Sequence, residues 1–580
     1  MALSALPTLR SPFRLAVVAL ASCLWMASCA PDSGEALFQD LRSPLTEPPP
    51  RTLLVHISYG TEETLSQLSG ELDLLEHADR KAGTVDALVD EETYAALAQK
   101  GVVMAIDEEQ TALLDEMSSM STMSIPGYSC YRTVEETSTS MRNLALSYPN
   151  LVRIVDAGDS YERVAVGSGY QKDLARKNPP GYDLEVLVAT NQAIPGPKPR
   201  FFLMGAIHAR EYTTAETALR FAEAMVAGYG TDPDATWLLD NYELHVLPLT
   251  NPDGRKVAEQ GYLQRKNRRP GGACSNPPSG SNQYGVDLNR NSSWGWGGAS
   301  TSTNLCDQVY PGTGPLSEPE TASVQIYMAS IFPDQRGPGP TDPAPPTTSG
   351  VMVTLHSYAE LVLYPWGYGS DAAPNMAELA TLGRKFGYFN HYEVCQSPSC
   401  LYAASGTTDD WAYGELGIAS YTFEIGIDFF ESCASFQQTT LPDNLAALKT
   451  AFKHARRPYQ TPKGPDATSV SVSFPSVPAG TVVTLTAAVD DTRYDSNGWG
   501  TEPSQSISAA HYSVDQPSWA SGATTTSMYP SDGAFNATVE GVTANVDTSG
   551  WTPGRHLILV EGQDANGNWG APTGVFLVIQ

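Results

Sequence analysis

The chain has no long hydrophobic run. Across its 580 residues, nothing beyond the N-terminus is apolar enough to cross a bilayer. The N-terminal run, residues 15–22 behind Arg10 and Arg14, is too short to span and reads as an export signal occupying 1–29. Two stretches there, Leu20-Ala21-Ser22-Cys23 and Met26-Ala27-Ser28-Cys29, resemble a bacterial lipobox. The first fits the pattern better, and the second leaves a longer apolar core. Either cysteine would carry lipid in a lipoprotein, and plain secretion is the alternative.

Positive charge is scarce as well. Lys and Arg number 35 against 64 Asp and Glu, a net charge of −29. That balance suits a soluble exported protein and speaks against nucleic acid or an anionic membrane surface as partner. Cysteine is limited to eight residues, none in Cys-x-x-Cys spacing, which argues against a thiolate metal site. Beyond the signal remain Cys130, Cys274, Cys306, Cys395, Cys400 and Cys433. An even number in an exported chain suggests disulfides.

What the chain does have is apolar, strand-like runs that end in reactive side chains. Residues 201–207 lead into His208-Ala209-Arg210-Glu211, residues 351–355 into His356, and residues 419–423 into Glu424. A fourth run, 243–249, leads into Thr250-Asn251-Pro252-Asp253-Gly254. Polar groups gathered beyond the ends of apolar strands are the layout of an α/β active site. One helical turn would bring His208 and Glu211 to the same side. An imidazole and a carboxylate are ligands a catalytic zinc accepts, with His356 as the candidate third. Taken alone, each is a common residue at a strand end.

Further motifs follow in order: Arg265-Lys266-Asn267-Arg268, Gly285-Val286-Asp287-Leu288-Asn289-Arg290-Asn291, His356-Ser357-Tyr358, Tyr402-Ala403-Ala404-Ser405-Gly406 and Thr422-Phe423-Glu424. With His208-Ala209-Arg210-Glu211 at their head, this series resembles the zinc metallocarboxypeptidases of the carboxypeptidase A/B type, over roughly 125–458. The resemblance implies a mixed-sheet α/β/α domain that removes one C-terminal residue at a time from peptides and proteins. It implies one Zn²⁺ held by His208, Glu211 and His356, with Glu424 as general base and Arg265 stabilising the oxyanion. Asp287 would orient the first zinc histidine. Asn289, Arg290 and Tyr402 would bind the terminal carboxylate, with Arg210 as accessory arginine and Tyr358 as a subsite tyrosine. Asp409 stands where the family sets its preference for the last residue, and an acid there favours Lys or Arg. Gly367 stands where basic-specific relatives more often carry a polar residue, which implies a pocket that accepts apolar ends too. The family commonly links Cys274 to Cys306. Cys395 and Cys400 are close enough in sequence to pair, and Cys130 and Cys433 are left over.

Around this domain three further segments are expected. Residues 50–108 alternate strand and helix (strands at 52–57, 84–89 and 102–106, helices near 62–82 and 91–100), a small α/β unit of the kind the family uses as a removable prodomain. A permanent domain is the alternative. Residues 109–125 would be its linker, and 126–458 the zinc domain. A Pro-, Gly- and Thr-rich loop, 333–350, precedes the His356 strand. Residues 465–580, with β-rich runs at 470–474, 482–486, 535–539 and 556–560, read as an immunoglobulin-like β-sandwich serving as spacer, binding surface or secretion aid. The expected whole is a monomer with peptide substrates and no membrane contact except a lipid anchor. The rival functions are a cell-wall peptidase of the same fold acting on muropeptides, and an inactive binding protein.

Overall fold

A computed structural model describes residues 52–79, 82–108, 111, 125–165, 181–337 and 339–580. The expected signal and nearly all of the expected linker lie outside the described residues.

The N-terminal part runs β1 (Thr52–Ser58), α1 (Glu62–Glu71), β2 (Asp73–Asp79), β3 (Thr84–Asp90), α2 (Glu91–Gln99) and β4 (Val103–Ile106). Its strands form an antiparallel sheet in the order β2-β3-β1-β4. Thr61 and Asp90 cap the two helices, accepting from Thr64 N and Thr93 N. The helix expected over 62–82 stops early. Residues 73–79, helical by propensity, are a strand because β3 offers them a ladder, and tertiary pairing overrides a weak local preference.

The central part is a three-layer α/β/α unit. Its strands are β5 (Val152–Asp159), β6 (Asp183–Ala189), β7 (Arg200–Met204), β8 (Glu243–Leu247), β9 (Val351–His356), β10 (Leu361–Tyr364), β11 (Glu393–Gln396) and β12 (Ala419–Glu424). They lie in the order β11-β10-β12-β9-β7-β8-β6-β5, with β8, β7, β9 and β12 mutually parallel in the middle. The main helices are α3 (Val134–Ser147), α4 (Tyr212–Gly228), α5 (Pro319–Ile331), α6 (Met376–Asn390), α7 (Thr408–Leu416) and α8 (Leu441–His454). Side chains alternate across the sheet. Phe201 and Leu203 of β7 enter one core with α4, α6 and α8, while Phe202 and Met204 enter the other with α5 and α7. Burial on both faces explains why β9 and β12 are buried at every position.

The C-terminal part comprises β13 (Asp466–Val472), β14 (Ser476–Val477), β15 (Val482–Asp490), β16 (Ile507–Val514), β17 (Thr525–Pro530), β18 (Val539–Asp547), β19 (Gly554–Asp564) and β20 (Thr573–Ile579). Buried and exposed residues alternate along β15 and β18, and Val483, Leu485, Val542, Ile558 and Leu577 fill one shared core. The strand expected over 535–539 begins only at Val539. The residues before it form a turn held by the Glu540 carboxylate, which accepts from Asn536 N and Ala537 N.

The six cysteines pair as Cys130–Cys433, Cys274–Cys306 and Cys395–Cys400. Among the described residues, no helix is long and apolar enough to cross a membrane.

Candidate metal centre and substrate cleft

The carboxyl ends of the parallel strands carry the chemistry. After β7 the chain turns through Gly205, where a Cβ would lie 2.8 Å from Thr214 O, so only glycine fits against the first turn of α4. That turn presents His208 and places Glu211 at the N-cap of α4. An N-cap side chain normally bonds back to its helix. Glu211 does not, because its carboxylate faces the cleft.

His208 Nδ1 lies 2.7 Å from Glu211 Oε1 and 3.2 Å from His356 Nδ1, and Glu211 Oε2 lies 3.5 Å from His356 Nδ1. All three residues are buried, and Glu211 Oε2 makes no hydrogen bond. Four ligands held tetrahedrally about 2.0–2.2 Å from a zinc ion sit about 3.3–3.5 Å apart. Two facing imidazole nitrogens and an unbonded carboxylate oxygen at these separations fit a metal ion, and these three residues form a metal-capable group. Burial, then the nearby His208 and Arg265, hold His356 well below its ordinary pKa, in the neutral form a metal needs.

Behind the triad, His208 Nε2 lies 3.1 Å from Asp287 Oδ1, which leaves Nδ1 pointing at the other ligands. Arg265 Nη2 donates to Asp287 Oδ2 at 3.0 Å. Burial pushes the Asp287 carboxyl up, but the charges of Arg265, His208 and Arg290 outweigh it and hold it well below the usual range.

The structure gathers His208, Arg265, Asn289, Arg290, His356, Tyr402, Asp409 and Glu424 around one cleft. Glu424 ends β12 in register with His356 at the end of β9. Asn289 accepts from Thr408 N at 3.1 Å, and its Nδ2 lies 3.4 Å from His356 Nε2. Arg290 donates Nε to Ser300 O and Nη1 to Asn289 O, both at 2.9 Å. Arg210 and Tyr358 stand apart from this lining. Both meet Phe429, the guanidinium 4.1 Å from the ring centre and the Tyr358 ring 5.1 Å from it.

Asp409 is 5% exposed, so it is not a solvent-facing loop acid. Burial raises its carboxyl above the usual range, opposed by hydrogen bonds with Thr407 and Thr422. Its neighbour Asp410 accepts from Gly367 N at 2.8 Å and Tyr368 N at 3.1 Å. Burial, then the Asp409 charge, push Asp410 well above the carboxylate range. Sequence reasoning passed over Thr407, Asp410 and Thr422. Only the acidic doublet in the Thr-Thr-Asp-Asp run hinted at them.

Fold and donor set together define an α/β metalloenzyme with its site at the carboxyl edge of a mixed sheet. A sequence profile described as zinc carboxypeptidase matches residues 137–444. The chain is 30% identical over 381 residues to carboxypeptidase A2 of Mus musculus, covering 63% of this chain and 80% of that protein. It is 29% identical over 306 residues to carboxypeptidase B of Astacus astacus, covering 51% and 87%. Among solved structures, carboxypeptidase A from Helicoverpa armigera shares the fold with a TM-score of 0.55 at 21% identity, over 70% of this chain and 98% of that one. The chain belongs to the zinc carboxypeptidase family, and its cofactor is zinc.

Proposed function

We propose that this is an exported zinc carboxypeptidase that prefers C-terminal Lys or Arg and also accepts apolar ends. The carrying observation is the buried Asp409 carboxyl in the cleft that holds the His208–Glu211–His356 triad. Bound zinc supplies Lewis acidity, polarising the scissile carbonyl and easing deprotonation of water. Glu424 takes the proton of the attacking water and delivers it to the departing amine. Arg265, held by Asp287, supplies positive charge where the oxyanion develops. Arg290 and Asn289, with Tyr402, take the substrate's terminal carboxylate. Arg290 is suited to this because its Nη2 makes no hydrogen bond among the described residues. Asp409 then pairs with a basic side chain, while Leu363, Leu401 and Ala404 leave the walls apolar enough for other ends.

Three disulfides and the charged, briefly apolar N-terminus support export. Residues 52–108 act as a removable cover. Leu53, Val55 and Leu65 belong to the same apolar cluster as the cleft-wall residues Leu363, Leu401, Tyr402 and Ala404. Asp90 accepts from Ser281 at 2.8 Å, and Ser69 bonds Ser300 at 2.7 Å. Residues 101–131 contain no Lys or Arg, so release calls for a protease that cuts at other residues.

The test is a profile of C-terminal residues released by the zinc-loaded protein. A chelator should abolish hydrolysis and Zn²⁺ restore it. Asp409→Ala should lower the Lys/Phe preference about tenfold or more, since a half-shielded charge pair is worth between about 1 and 4 kcal/mol. Because the Asp409 carboxyl titrates above the usual range, lowering the pH should erode that preference sooner than an ordinary aspartate would. A wild type indifferent to basic ends would reduce Asp409 to a structural acid.

A further inference from the structure

The eight-stranded sheet ends at β11, which pairs only with β10. A bare strand edge exposes unpaired backbone groups. Here residues 491–506, the loop joining β15 and β16 of the sandwich, reach over it. Val394 N donates to Ser496 O at 3.3 Å and Asp495 N to Arg384 O at 2.9 Å. Trp499 Nε1 donates to Glu393 Oε2 at 2.6 Å. Glu502 accepts from Arg384 Nη1 at 2.6 Å and Thr381 Oγ1 at 2.9 Å. The seating is close enough that a Cβ on Gly387 would lie 2.3 Å from Asp495 O. Within the loop, Ser496 Oγ donates to Gly500 O at 2.7 Å and Trp499 N to Ser496 O at 3.2 Å, which sets the indole.

β11 leads directly into the wall of the cleft. Cys395 is bonded to Cys400 across a short turn, and Ser397 Oγ in that turn donates to Tyr402 O at 2.7 Å. Ser397, Leu401 and Tyr402 line the cleft, as does Leu363, the register partner of Cys395. Trp499 packs on the apolar cluster containing Leu363, Cys395, Cys400, Leu401 and Tyr402.

We infer that this sandwich loop is a positioning device for substrate binding, with Trp499 at its centre. It clamps β11 and the Cys395–Cys400 turn, and so fixes Leu401 and Tyr402 where they meet the substrate's last residue. Trp499 touches no substrate and acts through the wall it holds. The inference rests on the reading of this cleft as a carboxypeptidase subsite, and it gives the C-terminal sandwich a part in that subsite's specificity.

The test compares two tryptophans by which the sandwich grips the central unit. Trp519 packs far from β11, against Trp237 and Tyr242 with ring centres 6.2 and 6.5 Å away, and under the Arg456 guanidinium. In the full zinc-loaded chain, Trp499→Ala should raise KM for Lys-ended peptides roughly three- to tenfold with kcat little changed, because the loss is in binding geometry. Trp499→Phe should restore most of the affinity. Trp519→Ala should lower the unfolding temperature and leave KM alone. Glu393→Ala removes only the acceptor of the indole N–H, and should shift KM the same way by less even if Trp499→Ala does not fold. An active wild type with unchanged KM in Trp499→Ala and Glu393→Ala overturns the clamp while leaving the proposed function intact. Equal KM shifts in Trp499→Ala and Trp519→Ala also overturn it, since they would report stability alone. A wild type that releases no C-terminal residue removes the proposed function, and the clamp with it.

Discussion

Glu424 is buried and ends its strand in register with a metal-site histidine. Glu424→Gln keeps the size of the side chain and removes its basicity. It should retain zinc by metal analysis yet lose about 10²–10⁴-fold in kcat, the usual weight of a general base. Near-normal turnover at full zinc content would refute the assignment. At this scale much was legible in the chain. His208, Glu211 and His356, which form the metal-capable group, and Glu424, which lines the same cleft, each stand at or just past the end of an apolar strand, the pattern the sequence displays. Thr407 and Thr422 were not legible. Their hydroxyls matter only because α7 and β12 face each other beside Asp409, and nothing local records that. Nor does sequence separate Arg210 and Tyr358 from the lining residues. Their common partner Phe429 lies more than 70 positions from either of them in the chain.

Elements meet below the site through buried acids. Glu320, in the first turn of α5, accepts from Tyr161 N at 2.7 Å and Asn267 Nδ2 at 3.2 Å. Burial, then the charges of Asp253 and Glu318, raise its carboxyl to about 8. A folded-state value above the unfolded one means the folded chain keeps a proton that the unfolded chain gives up. Stability is therefore complete near pH 4.5 and falls as pH rises toward 8. Glu320→Gln mimics the protonated form and should flatten the decline, by a few kcal/mol at most. Unfolding temperatures measured from pH 5 to 8 would show this, and parallel curves for variant and wild type would disprove it. Element reading from sequence was strongest where a run was continuously apolar, as in β9, or alternated, as in β15. It failed over 73–79, where helix-forming residues become a strand only because β3 lies alongside.

For the whole molecule, the N-terminal sheet packs on the wall of the cleft. If it is a cover, cutting the full chain within 109–124 with a protease site placed there should raise kcat/KM at least several-fold. Covering residues leave, and the ground-state obstruction leaves with them. Identical kcat/KM before and after the cut would make this part a permanent domain.

The bond between Cys130 and Cys433 joins positions 303 residues apart. It turns nearly all of the central unit into a covalent ring. In the polymer-entropy picture, closing so long a loop disfavours the unfolded chain by about 5–6 kcal/mol. A single nick anywhere inside the ring, including the exposed loop before β9, would leave one molecule on a non-reducing gel. Residues 52–108 contain no cysteine and lie outside the ring. One cut within 109–124 would therefore leave them with no covalent link to the ring, held to it by packing alone.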